Sequence, residues 1–141
     1  MRISASISPV WREYGLEELQ IFERIKECGF DCVGYDFSAA NQSHWIACNA
    51  ADWGKSLQEA LGRIGLQPTV AHISGFNPME DSAPVEQAVR CAGALGIEKA
   101  VVPLGFRENN LRREYEEFNL DYLQRMLRIA SETGVTLLIE H

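Results

Sequence analysis

The sequence has no uninterrupted apolar run of the roughly 20 residues that a membrane-spanning helix needs. Its start, Met1-Arg2-Ile3-Ser4, passes directly into an alternating strand pattern, with neither the apolar stretch nor the small-residue cleavage site of a secretory signal. We therefore expect a cytoplasmic protein without a membrane partner.

Basic residues are in short supply, because 13 Lys and Arg stand against 20 Asp and Glu and give a net charge of −7. Proteins that bind nucleic acids draw much of their affinity from clustered Lys and Arg that neutralise phosphates. The sequence also lacks a P-loop and the nucleophile elbow of serine hydrolases. These absences disfavour a nucleic-acid partner, nucleotide hydrolysis and serine hydrolysis, and they favour a small polar ligand.

Cysteines are few, and their spacing matches neither paired zinc knuckles nor a small disulfide scaffold. They are Cys28, Cys32, Cys48 and Cys91. Reduced thiols are therefore expected, with Cys28 and Cys32 in the core at a helix end and a strand start.

A fourfold repeat is present in which an amphipathic segment ends at a glycine and an apolar strand follows. Glycine suits the left-handed residue that closes a helix, because it has no Cβ to clash there. Asp52, Ser82 and Asn119 stand where an N-cap or first-turn residue belongs. The closing glycines are Gly29, Gly65, Gly96 and Gly134.

The pattern predicts strands over residues 2–8, 32–37, 69–74, 100–104 and 135–140. Strands that alternate with helices are parallel, since parallel neighbours cannot be joined by a tight hairpin. The polar stretch 107–117 reads as a solvated loop or a helix start.

Two architectures share this order, the closed barrel and the open doubly wound sheet. The turn after the first strand, Ser6-Ile7-Ser8-Pro9-Val10-Trp11, lacks the glycine of a dinucleotide-binding sheet. The first strand also alternates apolar residues with serines, which suits a barrel strand. The sequence therefore favours an α/β fold of the (β/α) TIM-barrel type, with four βα units and a fifth strand in one domain over residues 1–141.

Active sites of such barrels lie at the C-terminal ends of the strands, so polar residues there are the first candidates. Glu140 ends a nearly continuous apolar strand, where it is either exposed to solvent or compensated by a cation or hydrogen bonds. His72, near the end of the third strand, is a metal ligand, a substrate hydrogen-bond donor or a satisfied core histidine. Asp36 either contacts substrate or serves a turn.

Aromatic residues fall where loops are predicted to join strands to helices. Such rings either stack on the apolar face of a sugar or anchor their loops on the barrel rim. They are Phe106, the candidate substrate contact, and Trp11, Trp45 and Trp53.

Four segments, 27–33, 70–74, 94–102 and 134–140, have a recognisable order and spacing. Together they resemble the xylose isomerase-like barrels, a superfamily that includes sugar and sugar-phosphate isomerases, ketose epimerases, inosose dehydratases and apurinic endonucleases. The resemblance covers essentially the whole chain. It implies a sugar or polyol substrate and a divalent metal ion such as Mn, Mg, Co or Zn.

The resemblance also implies roles for two residues. In the superfamily the Glu that closes the fifth strand binds the metal and, in epimerases, serves as acid or base, and Glu140 matches it. The His near the end of the third strand binds substrate or metal, and His72 matches it. The remaining ligands come from strands six to eight, and 141 residues are little more than half of a barrel of about 250.

We therefore expect the N-terminal part of a metal-dependent sugar isomerase or epimerase, inactive as an isolated chain. Two alternatives remain open. One is a dehydratase-type lyase that acts on a cyclic polyol with the same metal site. The other is a non-catalytic partial barrel that self-associates through its sheet edges, because unpaired edges favour association. The expected partner is accordingly a homo-oligomer or a C-terminal half.

Overall fold

The computed structural model describes residues 4–7, 17–106 and 112–140. Strands and helices alternate along these residues, as the sequence predicts. The elements are β1 (Ser4–Ser6), α1 (Glu18–Glu27), β2 (Cys32–Ser38), α2 (Ala50–Ile64), β3 (Gln67–Ser74), α3 (Ala83–Ala94), β4 (Lys99–Pro103), α4 (Arg112–Thr133) and β5 (Thr136–Glu140). A short 3₁₀ helix, Gln42–His44, lies between β2 and α2.

The five strands form one sheet in the order β1-β2-β3-β4-β5, and every neighbouring pair is parallel. A doubly wound sheet instead reverses its strand order at a switch point near the first strand. The strictly sequential order is that of a (β/α) barrel, which confirms the predicted fold class. In the described part of the chain no helix is long and apolar enough to cross a membrane.

Glycines close the helices as predicted. Gly65 has φ +81° at the end of α2, and its N–H donates to the Leu61 carbonyl at 2.9 Å. Gly29, Gly96 and Gly134 have φ of +88°, +80° and +73°. Since side chains with a Cβ rarely adopt these angles, the glycines fix where each helix stops and the next strand begins.

The predicted helix starts are correct at two sites and wrong at the third. Asp52 lies in the first turn of α2, and Ser82 is the N-cap of α3. Asn119 instead lies inside α4, which begins at Arg112. The buried Asn119 amide accepts from the Gly105 N–H at 2.9 Å and donates to the Gly105 carbonyl at 3.0 Å, so it holds the β4–α4 loop rather than a helix end.

An aromatic cluster fills the space between β2 and the helices. Tyr35 and Phe37 contact Trp53, and Trp45 meets Phe37 edge-on at 5.2 Å between ring centroids. Trp45 is fully buried in the loop after the 3₁₀ helix, and its indole N–H donates to Asn41 Oδ1 at 3.0 Å. Trp53 lies in α2, not in the loop that the sequence predicts, and Trp11 is outside the described residues. Both described tryptophans serve packing.

Two glycines of α2 provide a matched test of the packing between α2 and α3. A Cβ on Gly54 would lie 2.5 Å from the carbonyl carbon of Ala94, a backbone atom that cannot move aside easily, whereas a Cβ on Gly62 would meet nothing within 4 Å. We expect Gly54→Ala to lower the free energy of unfolding by about 1–3 kcal/mol, because the helices must separate. Gly62→Ala should raise it by about 0.5–1 kcal/mol, because alanine favours a helix.

Urea denaturation of both variants checks this expectation. A shift in the same direction for the two substitutions would contradict the close approach of α2 and α3 at Gly54.

Candidate functional site at the C-terminal ends of the strands

The alternation of side chains along β2 and β3 separates a helix-facing row from an inner row. Phe37 and Ile73 are buried in the helix-facing core, whereas Asp36 and His72 alternate with them on the inner face of the sheet. Asp36 and His72 are direct neighbours in the strand register. The inner face at the strand ends is therefore polar.

A β-bulge sets this register. The pairing shifts between Val33 and Gly34, where one residue of β3, Thr69, is passed over. The Thr69 hydroxyl donates to the Val33 carbonyl at 3.3 Å. Because a shift of one residue exchanges the two faces of a strand, the bulge brings His72, and not Ala71, beside Asp36.

His72 lies between two carboxylates. Its Nε2 is 3.2 Å from Oε2 of Glu140 at the end of β5, and its Nδ1 is 3.4 Å from Oδ1 of Asp36. The Asp36 side chain is 5% exposed and also accepts from the Ser74 hydroxyl at 3.2 Å, whereas His72 and Glu140 are about half exposed. We call Asp36, His72 and Glu140 the carboxylate–imidazole cluster.

The position of the His72 ring proton decides which contacts of the cluster are favourable. A neutral imidazole donates from only one ring nitrogen and carries a lone pair on the other. If Nδ1–H faces the buried Asp36, the Nε2 lone pair faces the Glu140 carboxylate, and the two repel each other. If Nε2–H instead donates to Glu140 Oε2 at 3.2 Å, the Nδ1 lone pair faces Asp36. In either tautomer one ring lone pair faces a carboxylate, and a cation bound by Nε2 and Glu140 would relieve that repulsion when Nδ1 carries the proton. The arrangement is thus suited to exchange a proton or to hold a cation at Glu140.

The donor atoms fit part of a metal site. Metal bonds from imidazole and carboxylate are about 2.0–2.2 Å long, and two adjacent ligands of one ion are then roughly 3 Å apart. The 3.2 Å separation of His72 Nε2 and Glu140 Oε2 matches that spacing. Asp36 faces the other ring nitrogen, where a carboxylate orients a ligating histidine. Among the residues with described positions, however, no group of three or more His, Cys, Asp or Glu is arranged to hold a metal.

Phe106 lies beside the cluster, as its candidate role requires. It lines a pocket of about 200 Å³ together with Pro103, Leu104, Tyr115 and Glu140. The Phe106 side chain is 59% exposed. Phe106 and Glu140 therefore border the same pocket.

Asn77, in the loop after β3, holds Phe106 in place and was not among the residues predicted for the site. Its side chain donates to the Phe106 carbonyl at 2.7 Å and accepts from the Phe106 N–H at 3.1 Å. This bidentate contact joins residues 29 positions apart. A lone Asn in a loop gives no sequence signal for such a contact.

A second pocket, of about 370 Å³, lies away from the cluster, between α1 and α2, and includes His44. Tyr35 donates a hydrogen bond there to the carboxylate of Glu18, and burial raises the pKa of Glu18. The Tyr35 hydroxyl fixes the start of α1 against β2. His44 lines this second pocket and is not part of the carboxylate–imidazole cluster. His141 is outside the described residues.

No protein-family model and no curated protein matches the sequence. Solved structures do match the fold. They include a 3-keto-D-glucoside 4-epimerase from E. coli (18% identity, TM-score 0.68, 99% of this chain and 55% of that chain) and a D-tagatose 3-epimerase-like protein (21%, 0.70, 100% and 53%). Another is the IolI protein with a bound zinc atom (13%, 0.65, 99% and 51%).

The chain spans about half the length of these structures, and the likeness runs over nearly all of its own residues. At these identities the likeness concerns the fold. The chain therefore has the fold of about half of a (β/α) barrel, as these structures contain it.

Proposed function

We propose that the chain is the N-terminal part of a metal-dependent sugar or sugar-phosphate isomerase or epimerase, with Glu140 as its acid/base residue. The observation that carries this proposal is the contact of His72 with both Glu140 and Asp36 at the C-terminal rim of the sheet. Barrel enzymes carry their chemistry at that rim. The sugar epimerases among the structures of similar fold support the same class of reaction.

Glu140 is the proton-transferring group. In the proton-transfer route to isomerisation or epimerisation, a base removes a proton from a carbon next to a carbonyl, which leaves an enediolate-like state. Glu140 is half exposed and lines the pocket beside Phe106, so substrate has access to it. Its Oε2 atom contacts His72, and the imidazole thereby orients the Glu140 carboxylate that transfers the proton.

A divalent cation would be held by Glu140 and His72 as two of its ligands, with further ligands from outside the described residues. Bound there, it would polarise a carbonyl and the neighbouring hydroxyl of the substrate and so acidify the proton that Glu140 takes. In this proposal the ring proton of His72 is on Nδ1, which lies 3.4 Å from Asp36 Oδ1, and Nε2 is left as the ligand atom.

The ring of Phe106 and the inner-face polar groups bind the substrate. A sugar has an apolar face of C–H groups that packs on an aromatic ring, and its hydroxyls need donors and acceptors. Phe106 supplies the ring, held by Asn77, and His72 supplies a polar contact. Asp36 is buried behind His72, so in this proposal it acts through the imidazole rather than by direct contact with the sugar.

Two alternatives use the same observations differently. A lyase that dehydrates a cyclic polyol would also need a base and a metal at Glu140. A non-catalytic, self-associating partial barrel is favoured by the exposure of apolar side chains on β5, since Leu138 is 42% and Ile139 is 51% exposed at the sheet edge.

The test is a turnover screen of the full-length protein over ketoses, their phosphates and inososes, after chelation and after addition of Mn²⁺, Mg²⁺, Co²⁺ or Zn²⁺. The expected result is interconversion of a ketose with its epimer or isomer, lost on chelation and restored by metal. Loss of water from an inosose would select the lyase instead. No turnover with any metal, in a protein that binds itself, would select the non-catalytic alternative.

A further inference from the structure

Two cysteines, Cys48 and Cys91, lie against each other outside the carboxylate–imidazole cluster. Cys91 is fully buried in α3, and Cys48 is half-buried in the turn that precedes α2. Cys48 is near enough to Cys91 to contribute to the raised pKa of the Cys91 thiol. The two thiols also share two polar neighbours.

The shared neighbours fix how the sulfur atoms are arranged. The Trp45 carbonyl accepts from Cys48 Sγ at 2.9 Å and from Cys91 Sγ at 4.0 Å. The side-chain amide of Gln87 lies 4.0 Å from Cys48 Sγ and 3.6 Å from Cys91 Sγ, and it donates to the Cys48 carbonyl at 3.1 Å. The backbone of the turn is therefore tied to α3 at the position where the thiols meet.

We propose that Cys48 and Cys91 are an oxidisable pair that closes to an intramolecular disulfide when the protein meets a peroxide. The proposal does not depend on the sugar chemistry, because it rests only on the placement of the two thiols.

Shared contacts hold the two sulfur atoms in one small region. Both sulfur atoms lie within 4.0 Å of the Trp45 carbonyl oxygen and of the Gln87 side-chain nitrogen. A disulfide requires them to reach an S–S distance of about 2.05 Å. Cys91 belongs to α3 and Cys48 to the irregular turn before α2, so the bond draws the turn toward the helix.

The order of the two steps follows from accessibility. Cys48 is the more accessible sulfur, whereas burial, and then the neighbouring Cys48, raise the pKa of Cys91 well above its usual range. Cys48 as thiolate therefore attacks the peroxide O–O bond and becomes a sulfenic acid, and water leaves after protonation. The Cys91 sulfur then attacks the Cys48 sulfur, the S–O bond breaks, and the Cys91 thiol proton passes to the departing hydroxyl, which leaves as a second water. Two thiols and one hydrogen peroxide thus give one disulfide and two waters.

The other two cysteines provide the comparison. Cys28 is exposed at the end of α1, and Cys32 is buried in β2. If exposure alone decided the chemistry, Cys28 would be the main site of oxidation. The proposal instead assigns the intramolecular bond to Cys48 and Cys91, which are 43 residues apart in sequence.

The test treats the full-length protein with hydrogen peroxide, blocks remaining thiols after denaturation and maps the peptides by mass spectrometry before and after dithiothreitol. We expect a cross-linked pair of peptides that contain Cys48 and Cys91, two hydrogens lighter than the reduced pair. The melting temperature should rise by about 5–10 °C, because the bond closes a long loop, and should return on reduction.

Cys28→Ser is the matched control and should keep both the cross-link and the rise in melting temperature, while Cys48→Ala should lose both. Oxidation that stops at sulfinic acid on Cys48 with Cys91 still alkylated would overturn the proposal. So would a cross-link confined to Cys28 and Cys32. Because the mapping uses the unmutated protein, it decides the matter even if a cysteine variant folds poorly.

Discussion

Replacing Glu140 with Gln in the full-length protein is expected to lower kcat for sugar isomerisation or epimerisation by about 100- to 10,000-fold, the usual contribution of a positioned acid or base. The amide nearly preserves the size of the side chain and can still contact His72, which lies 3.2 Å from Glu140 Oε2. It carries no negative charge and cannot take up the substrate proton. Because Glu140 is half exposed at a strand end, the melting temperature should change little.

The matched control is Glu98→Gln. Glu98 precedes β4 at the opposite rim of the sheet and is exposed, so the substitution removes the same charge far from the pocket. Steady-state kinetics and metal titration of the two variants separate the effects of charge and chemistry. Wild-type turnover in Glu140→Gln with metal still bound would remove Glu140 from the mechanism and leave only the fold in common with the sugar epimerases.

Much of the fold could be predicted from the sequence because its determinants are local. A glycine that must adopt positive φ marks the end of each helix, and Gly65 and Gly134 do so within one residue of the observed helix ends. The alternation of strands and helices then requires parallel pairing, and the sheet order confirms it. None of these inferences needs a contact between distant residues.

One error arises where a distant contact overrides a local preference, and the other where a local helix cap was missed. Asn119 resembles a helix start, yet its amide satisfies the Gly105 backbone 14 residues away, within a helix that begins at Arg112. Trp53 resembles a loop anchor, yet α2 begins before it, because Asn49 caps the helix through the N–H groups of Ala51 and Asp52. The capping residue, Asn49, lies 3 positions before Asp52, which the pattern indicated.

The sequence indicates the individual candidate residues of the site, but it does not indicate how they contact one another. The rule that barrel chemistry lies at strand ends selects His72 and Glu140 from the sequence. The contact of His72 with Asp36 depends on the β-bulge at Thr69, which shifts the register between β2 and β3. No local sequence pattern predicts this bulge. A register without it would pair Asp36 with Ala71 and leave His72 on the opposite face.

The dependence of the site on Asp36 gives the second large expected effect. Asp36→Asn in the full-length protein should lower kcat, and the affinity for the divalent metal, by about 10- to 100-fold, as loss of the carboxylate behind a ligating histidine commonly does. The Asp36 side chain is 5% exposed and lies 3.4 Å from His72 Nδ1. Asparagine fits the same space but can present its NH₂ group to Nδ1, which moves the ring proton to Nε2 and blocks the atom that faces Glu140.

Nitrogen NMR of the His72 ring reads this tautomer directly, and a merely structural role for Asp36 would leave it unchanged. Ser74→Ala is the matched control, because it removes only the hydroxyl that donates to Asp36 at 3.2 Å and leaves the carboxylate beside Nδ1. It should keep the Nδ1–H tautomer and lose far less metal affinity than Asp36→Asn. If Asp36→Asn retained both the tautomer and the metal affinity, Asp36 would have no part in orienting His72, and the carboxylate–imidazole cluster would reduce to the pair of His72 and Glu140.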